Sequence, residues 1–209
     1  MTRIYAIVAA AVIVLLTAGL WLATMGRGGD DAYAQCRSSK IAGGSDTIGG
    51  PFTLVDETGK TVTDKDVIDQ PSLLYFGYTY CPDICPYDAA RNAEAVTLLE
   101  ERGYMVKPVF ISIDPQRDTP QQLADFTSYI HPRMVGLTGS EEQVAAASKA
   151  YRTYYKKQPS TDGDDDYYLV DHSTFTYLVL PQAGFVDFFR RDMTPEDMAD
   201  KVACFIDAE

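Results

Sequence analysis

One long apolar run opens the chain, and shorter apolar runs then alternate with segments of helical periodicity. The first run, residues 4–24, is IYAIVAAAVIVLLTAGLWLAT, 21 residues without a charge. At about 1.5 Å per residue it would cross a hydrocarbon core of about 30 Å. A cleaved secretory signal, with AYA at 32–34 as the processing site, is the competing interpretation, but this run exceeds the usual apolar stretch of about 7–15 residues. We therefore predict an uncleaved transmembrane anchor.

The pattern after the anchor predicts a tether and one folded domain. Residues 25–46 are rich in Gly, Ser and Asp and have no periodicity, which is typical of a flexible tether. The domain, residues 47–209, begins with PFTLVDETGKTVT, whose alternation around Gly59 predicts a hairpin. SLLYFGY and VKPVFISID indicate buried strands. A helical pattern begins near Pro86 and stops at Gly103, and a second begins at a capping box on Thr119.

The remaining pattern completes an α/β domain. It predicts a helix near Glu141 to Tyr155, a strand TFTYLVL, a hairpin through residues 182–184 and a last helix from Thr194. Strands that alternate with helices and end in a hairpin predict a mixed central sheet with helices on both faces.

The composition changes this picture only in what it excludes. With 209 residues, 46% of them hydrophobic, the chain can form one well-cored domain plus an appendage. Its net charge of -12 argues against nucleic acid as a partner, because a phosphate backbone requires a basic surface.

Candidate chemistry is concentrated in YFGYTYCPDICP, which places Cys81 and Cys85 four positions apart directly after a buried strand. Pro82 and Pro86 bracket the second cysteine, which predicts a tight turn into a helix. The free N–H groups and the dipole of a helix N-terminus favour thiolate at Cys85, and to a lesser degree at Cys81. Thiolate attacks disulfides and binds metals, so a structural disulfide, a redox couple and a metal site all stay open.

The chain contains two histidines. His172 stands in LVDHSTFTYLV, beside Asp171 and just before an apolar strand, where it is either a ligand or a satisfied polar residue at a strand edge. His131 stands in YIHPRM at a predicted helix end, and we expect a structural role for it.

Four segments together are similar to the Sco family, also called SenC: YFGYTYCPDICP, FISIDPQRDTP, VGLTGSEEQV and DYYLVDHSTFTYLVLPQAGFVDFF. The resemblance extends from about residue 47 to the end. It implies a thioredoxin-like fold, a copper site formed by Cys81, Cys85 and His172, and a role in assembling the CuA centre of cytochrome c oxidase. The chain differs from thioredoxins in having CxxxC in place of CxxC, and Ser173-Thr174 where thioredoxins hold a proline.

The chemistry of these ligands agrees with copper. Two soft thiolates and an imidazole suit three-coordinate Cu(I), with Cu(II) left open, whereas structural zinc requires four ligands. We expect Asp171 to orient His172 and Asp83 to lie close enough to tune the site. The two cysteines can also form a disulfide, so copper occupancy and thiol oxidation should exclude each other.

The resemblance also implies a partner and a compartment. We expect a copper metallochaperone anchored in the bacterial inner membrane, with its domain in the periplasm. Its partners would be the CuA-bearing oxidase subunit and a periplasmic copper donor or thiol reductant. The alternatives are an enzyme, a thiol–disulfide oxidoreductase that keeps the CuA cysteines reduced, and a redox or copper sensor.

The two remaining cysteines, Cys36 and Cys204, predict a structural disulfide. In the last helix Met198, Val202 and Phe205 form an apolar stripe, and Cys204 falls nearly opposite it. A partly exposed thiol outside the cytoplasm is prone to oxidation, and the even cysteine count leaves Cys36 as its partner. Two unrelated thiols are the alternative.

Overall fold

The computed structural model describes residues 2–25, 32–37, 47–159 and 168–209. The chain divides into two compact units, Met1–Gln35 and Cys36–Glu209. In the first, helix α1 runs over Thr2–Met25. None of the helices in the described part of the chain combines the length and the apolar character that a membrane span requires. The transmembrane anchor therefore stays a prediction.

The second unit is built on a mixed sheet. Its strands in chain order are β1 (Thr53–Asp56), β2 (Thr61–Thr63), β3 (Ser72–Gly77), β4 (Lys107–Ser112), β5 (Val135–Thr138), β6 (Tyr155–Lys157), β7 (Val170–His172), β8 (Thr176–Leu180) and β9 (Gly184–Phe189). Seven of them form one sheet in the order β2-β1-β5-β4-β3-β8-β9. Strands β3, β4 and β5 are parallel, and the other pairings in this sheet are antiparallel.

Helices cover both faces of this sheet, as predicted. They are α2 (Asp64–Val67), α3 (Ile84–Glu101), α4 (Pro120–Ile130), α5 (Glu141–Ala150) and α6 (Pro195–Asp207). Tyr75 and Phe76 are consecutive on β3, so their side chains point to opposite faces. The Tyr75 hydroxyl bonds Asp88 of α3, whereas the Phe76 ring packs 5.5 Å from that of Tyr151, which caps α5. Helices α3 and α5 therefore lie on opposite faces.

Local sequence signals account for most element ends. The β1–β2 hairpin closes through the Asp56 N–H, which donates to the Lys60 carbonyl, and Gly59 takes the positive φ of the turn. The side chain of Thr119 caps α4 as predicted. Helix α3 begins at Ile84, two residues before the predicted start. Pro86 thus occupies the third helical position, where the missing N–H has no partner to lose.

Strands β6 and β7 form a two-stranded ribbon apart from the main sheet. The helix predicted up to Tyr155 ends at Ala150, and the chain turns through Arg152, at φ 52, into β6. Residues 160–167, the acidic segment STDGDDDY, lie outside the described residues. The ribbon matters because β7 carries His172, so this side chain lies outside the main sheet.

Helix α6 packs through the predicted apolar stripe, and Met198, Val202 and Phe205 are fully buried. Cys204 is partly exposed on the other side and forms a disulfide with Cys36, with 5.7 Å between their Cα atoms. Next to it, Arg37 Nε donates to the Val186 carbonyl at 3.2 Å. This part of the predicted tether is therefore attached to the domain.

Candidate metal centre

Cys81, Cys85 and His172 converge at one end of the central strands. Their sulfur and ring nitrogen atoms all lie within 4.8 Å of one another, and the Cys85 Sγ to His172 Nε2 distance is 3.3 Å. The cysteines follow β3, and β8, the strand after His172, pairs antiparallel with β3. Strands β3 and β8 are therefore neighbours in the main sheet.

The turn between β3 and α3 brings the two cysteine sulfurs close together. The Cys81 N–H donates to the Tyr78 carbonyl, which closes the turn, and Asp83 occupies the N-cap of α3. The Cys85 N–H, in the first turn of this helix, donates to Cys81 Sγ at 3.3 Å. A free N–H group of the helix N-terminus is therefore used by the sulfur of Cys81, four residues before Cys85.

The two sulfurs have opposite electrostatics. Hydrogen bonding from the Cys85 thiol lowers the pKa of Cys81 to about 3, against burial and with help from His172 and the backbone N–H groups of Cys85 and Asp83. Burial raises the pKa of the Cys85 thiol, because Cys85 is completely enclosed. The sequence favoured thiolate at Cys85, and this expectation is wrong. The physical reason is desolvation, which raises the pKa of Cys85 by more than the helix dipole lowers it.

Hydrogen bonding orients the ring of His172. Its Nδ1 lies 2.8 Å from the carbonyl oxygen of Ser173. A carbonyl oxygen only accepts, so Nδ1 carries a proton, and Nε2 is the ring atom that faces the two sulfurs. The rings of Tyr75 and Tyr78 meet the imidazole edge to face, at 6.2 and 5.9 Å between centroids.

The predicted role of Asp171 needs correction, whereas Asp83 lies close to the site as expected. Asp171 is exposed and bonds Gln158, because consecutive residues of β7 point to opposite faces and His172 takes the inner one. The orienting acceptor for His172 is the Ser173 carbonyl instead. Asp83 lies at the pocket wall with its side chain exposed. It acts on Cys81 through its backbone N–H.

A pocket gives access to the site from one side. Its volume is about 360 Å³, and its lining includes Cys81, Pro82, Leu169 and His172. Cys85 has no exposed surface and lies behind Cys81. A metal ion or a partner sulfur arriving from solvent would therefore meet Cys81 first.

A buried polar cluster behind Cys85 was missed by the sequence interpretation. Asp88 is fully buried, accepts a hydrogen bond from the Tyr75 hydroxyl at 3.1 Å, and has Arg91 and Arg191 at 3.7 and 3.5 Å. Burial raises the pKa of Tyr75, and the neighbouring Cys85 and Asp88 raise it further. Asp88, Arg91 and Asn92 recur at helical spacing on the inner face of α3, which is the signal that would have revealed them.

The expected structural role of His131 agrees with its surroundings. His131 is the C-cap of α4, and its Nδ1 accepts the Arg133 N–H at 3.1 Å. It is not part of the group formed by Cys81, Cys85 and His172.

The protein has a mixed sheet with helices on both faces, a CxxxC turn before α3, and an imidazole that faces the two sulfurs. These features define a thioredoxin-like protein with a candidate ligand set of thiolates and an imidazole. A family model described as SCO1/SenC matches residues 41–207. The chain belongs to this family.

Individual relatives agree with this assignment. Protein SenC of Rhodobacter capsulatus is 58% identical over 179 residues, which cover 85% of this chain and 79% of that protein. The mitochondrial SCO1 homolog 1 of Arabidopsis thaliana is 43% identical over 160 residues, 76% of this chain but 47% of that protein. The crystal structure of Arabidopsis thaliana ScoI with copper bound has a TM-score of 0.72 at 42% identity, and the match covers 77% of this chain and 99% of that one.

Proposed function

We propose that this protein is a copper metallochaperone whose cargo ion is held by Cys81, Cys85 and His172. The observation that carries the proposal is the convergence of two sulfurs and a ring nitrogen within 4.8 Å. A set of two thiolates and one imidazole suits Cu(I), whereas a structural zinc site would need a fourth protein ligand. The copper-bound structure of the Arabidopsis relative supports the choice of metal.

The geometry of the site suits the uptake and release of copper. Cys81 supplies a thiolate at the pocket wall, and Cys85 must lose its proton when the ion binds, because only thiolate ligates. An incoming thiolate from a partner would reach the ion from the Cys81 side. Copper would then pass between proteins by exchange of one thiolate ligand at a time.

Family membership supports the recipient and the compartment of this proposal. We infer that copper is delivered to the CuA-bearing subunit of cytochrome c oxidase, as expected of an SCO1/SenC protein. The uncharged run at residues 4–24 would anchor the chain in a bacterial inner membrane and leave the domain in the periplasm. The bacterial SenC relative is consistent with that compartment.

One observation favours a second function, thiol–disulfide exchange with the CuA cysteines. Cys81 combines a lowered pKa with a place at the pocket wall, as an attacking thiol requires, and Cys85 lies behind it as a resolving thiol. In that reaction the Cys81 thiolate attacks a disulfide of the target and one target thiolate leaves. Cys85 then attacks Cys81, which releases the second target thiolate and leaves the Cys81–Cys85 disulfide. Two electrons pass to the target, and a periplasmic reductant would regenerate the pair.

Titration of the reduced protein with Cu(I), in competition with a chromophoric chelator, tests the main proposal. We expect one tightly bound copper per chain, loss of tight binding in Cys81→Ser and Cys85→Ser, and weaker binding in His172→Ala with its thiol titre unchanged. The matched control is His131→Asn, whose side-chain oxygen can accept the Arg133 N–H. Equal Cu(I) affinity of His172→Ala and the wild type would refute the three-ligand site.

A further inference from the structure

The β6–β7 ribbon with residues 168 and 169 just before β7, which we name the arm, carries His172 and lies outside the main sheet. Among the described strands, β7 pairs only with β6 in a three-residue ribbon, and neither of the two joins the main sheet. The Ser173 N–H bonds the Tyr154 carbonyl, which is again a contact between the two sides of this arm. The position of the imidazole relative to the sulfurs must therefore depend on side chains that connect the arm to the CxxxC side of the domain.

Tyr168, at the start of the arm, makes such a connection. Its ring lies 3.6 Å from the guanidinium carbon of Arg117, which belongs to the turn after β4. Its hydroxyl donates to Asp114 Oδ1 at 2.6 Å, and Arg117 Nε donates to the other oxygen of the same carboxylate at 2.6 Å. Tyr168, Asp114 and Arg117 thus form a closed triangle of contacts between the arm and the β4 turn.

The same guanidinium also lies near the cysteine turn. Its carbon is 4.8 Å from the centre of the Tyr80 ring, next to Cys81, and 5.7 Å from that of Tyr78. The Tyr78 hydroxyl in turn accepts the N–H of Val170, two residues before His172, at 3.2 Å. The two distances from the guanidinium carbon to the rings of Tyr80 and Tyr78 fall within the range of about 6 Å over which a cation and an aromatic face attract each other. Arg117 therefore contacts the arm and the cysteine turn together.

We propose that Arg117 and Tyr168 are positioning residues that hold His172 at the two cysteines, and we name Arg117, Tyr168 and Asp114 the arm latch. This inference deepens the proposed function and rests on it in one respect, that His172 is a copper ligand. The latch gives a role to the arginine of FISIDPQRDTP, which contributes no ligand. A planar guanidinium suits it, because it can stack on a ring while donating to a carboxylate.

The alternative is that Arg117 only neutralises the buried Asp114. Arg117→Lys separates the two roles, because lysine keeps the positive charge but loses the planar stack. Tyr168→Leu removes the aromatic ring on the other side of the contact, and it replaces the lysine variant in the test if that variant folds poorly. Lys157→Met is the matched control. Lys157 Nζ also lies 3.5 Å from the centre of the Tyr168 ring, but it belongs to β6 of the same arm and so cannot tie the arm to the turn.

The experiment measures Cu(I) affinity for each variant in the wild-type and His172→Ala backgrounds. We expect Arg117→Lys to weaken binding about tenfold in the wild-type background. It should never weaken binding by more than His172→Ala does. In the His172→Ala background the same substitution should change affinity by less than about twofold, because the latch acts only through the imidazole. Lys157→Met should stay within about twofold of wild type in both.

A second readout needs no copper. In the reduced apo protein, Arg117→Lys and Tyr168→Leu should speed amide exchange at Val170 at least about fivefold. Exchange at Ser72 and Ser112, in the main sheet, should not change.

The outcomes separate the two proposals. Unchanged affinity and exchange in both latch variants, with weakened binding in His172→Ala, would overturn the latch and leave the metal site intact. Equal weakening in the two backgrounds would show that Arg117 acts on the cysteines or on general stability, which also overturns the latch. Undiminished binding in His172→Ala would overturn the ligand assignment, and the latch as a positioning device for a copper ligand would fall with it.

Discussion

The pH dependence of Cys81 reactivity is the most direct test of the electrostatics of the site. The perturbation is pH itself, applied between about pH 5 and pH 9 to the reduced protein. A pKa of about 3 means that Cys81 stays thiolate as the pH falls through this whole range. An ordinary cysteine, with a pKa near 8.5, loses its thiolate over the same range. Cys81 should therefore keep its reactivity as the pH falls, whereas an ordinary cysteine should lose it.

The magnitude follows from two opposing effects. At pH 5 about one ordinary thiol in 3,000 is ionised, whereas Cys81 is almost fully ionised. A thiolate of lower pKa is a weaker nucleophile, with a Brønsted slope of about 0.45, which costs Cys81 roughly 300-fold. Before any steric factor, Cys81 should therefore react about tenfold faster than free cysteine at pH 5 and roughly 300-fold slower at pH 9.

The assay is the first phase of thione release from a dithiodipyridine, with free cysteine as the reference. Cys36 and Cys204 are joined in a disulfide and contribute no thiol. The pocket restricts access to Cys81 equally at every pH. The test is therefore how the rate of thione release changes with pH, and not the absolute rate. We expect a profile that is flat within about threefold, while that of cysteine rises about 3,000-fold. A Cys81 rate that rises about tenfold per pH unit up to pH 8 would refute the reasoning.

Three further predictions concern stability, redox gating and the membrane. Replacing Cys36 and Cys204 together by serine should lower the melting temperature by roughly 10 °C or more, because the bond closes a loop with a sequence separation of 168 and could contribute about 5 kcal/mol. An unchanged melting temperature, or lost copper binding, would contradict this purely structural role. Protein oxidised to the Cys81–Cys85 disulfide should bind no Cu(I), and copper-loaded protein should resist that oxidation; equal copper uptake by the oxidised and reduced forms would refute exclusion. The full chain should stay with membranes after an alkaline carbonate wash, whereas a chain beginning at residue 26 should be released, and release of both would remove the anchor from the proposal.

The sequence alone was enough for most elements of the main sheet and its helices, though not for α2 or the β6–β7 ribbon, and it named the three side chains that converge at the site. Periodicity, capping boxes and turn residues act over a few positions, so the hairpin around Gly59, the strand before Cys81 and the cap at Thr119 could be predicted from neighbours in the chain. Two cysteines at a strand-to-helix turn are also a local signal. His172 became a predicted ligand only through the family resemblance, because a single histidine beside an apolar strand is ambiguous.

Tertiary structure decided which sulfur is ionised, what orients the imidazole and what holds its arm. The difference between Cys81 and Cys85 comes from burial, which depends on the elements that pack around α3 and not on spacing in the chain. Asp171 is next to His172 in sequence but on the opposite face of β7, so the orienting group is the Ser173 carbonyl. Arg117 and Tyr168 are about fifty positions apart, and only the fold brings the guanidinium onto the ring. Contacts of this kind leave no periodic trace, because they join segments whose local patterns are independent.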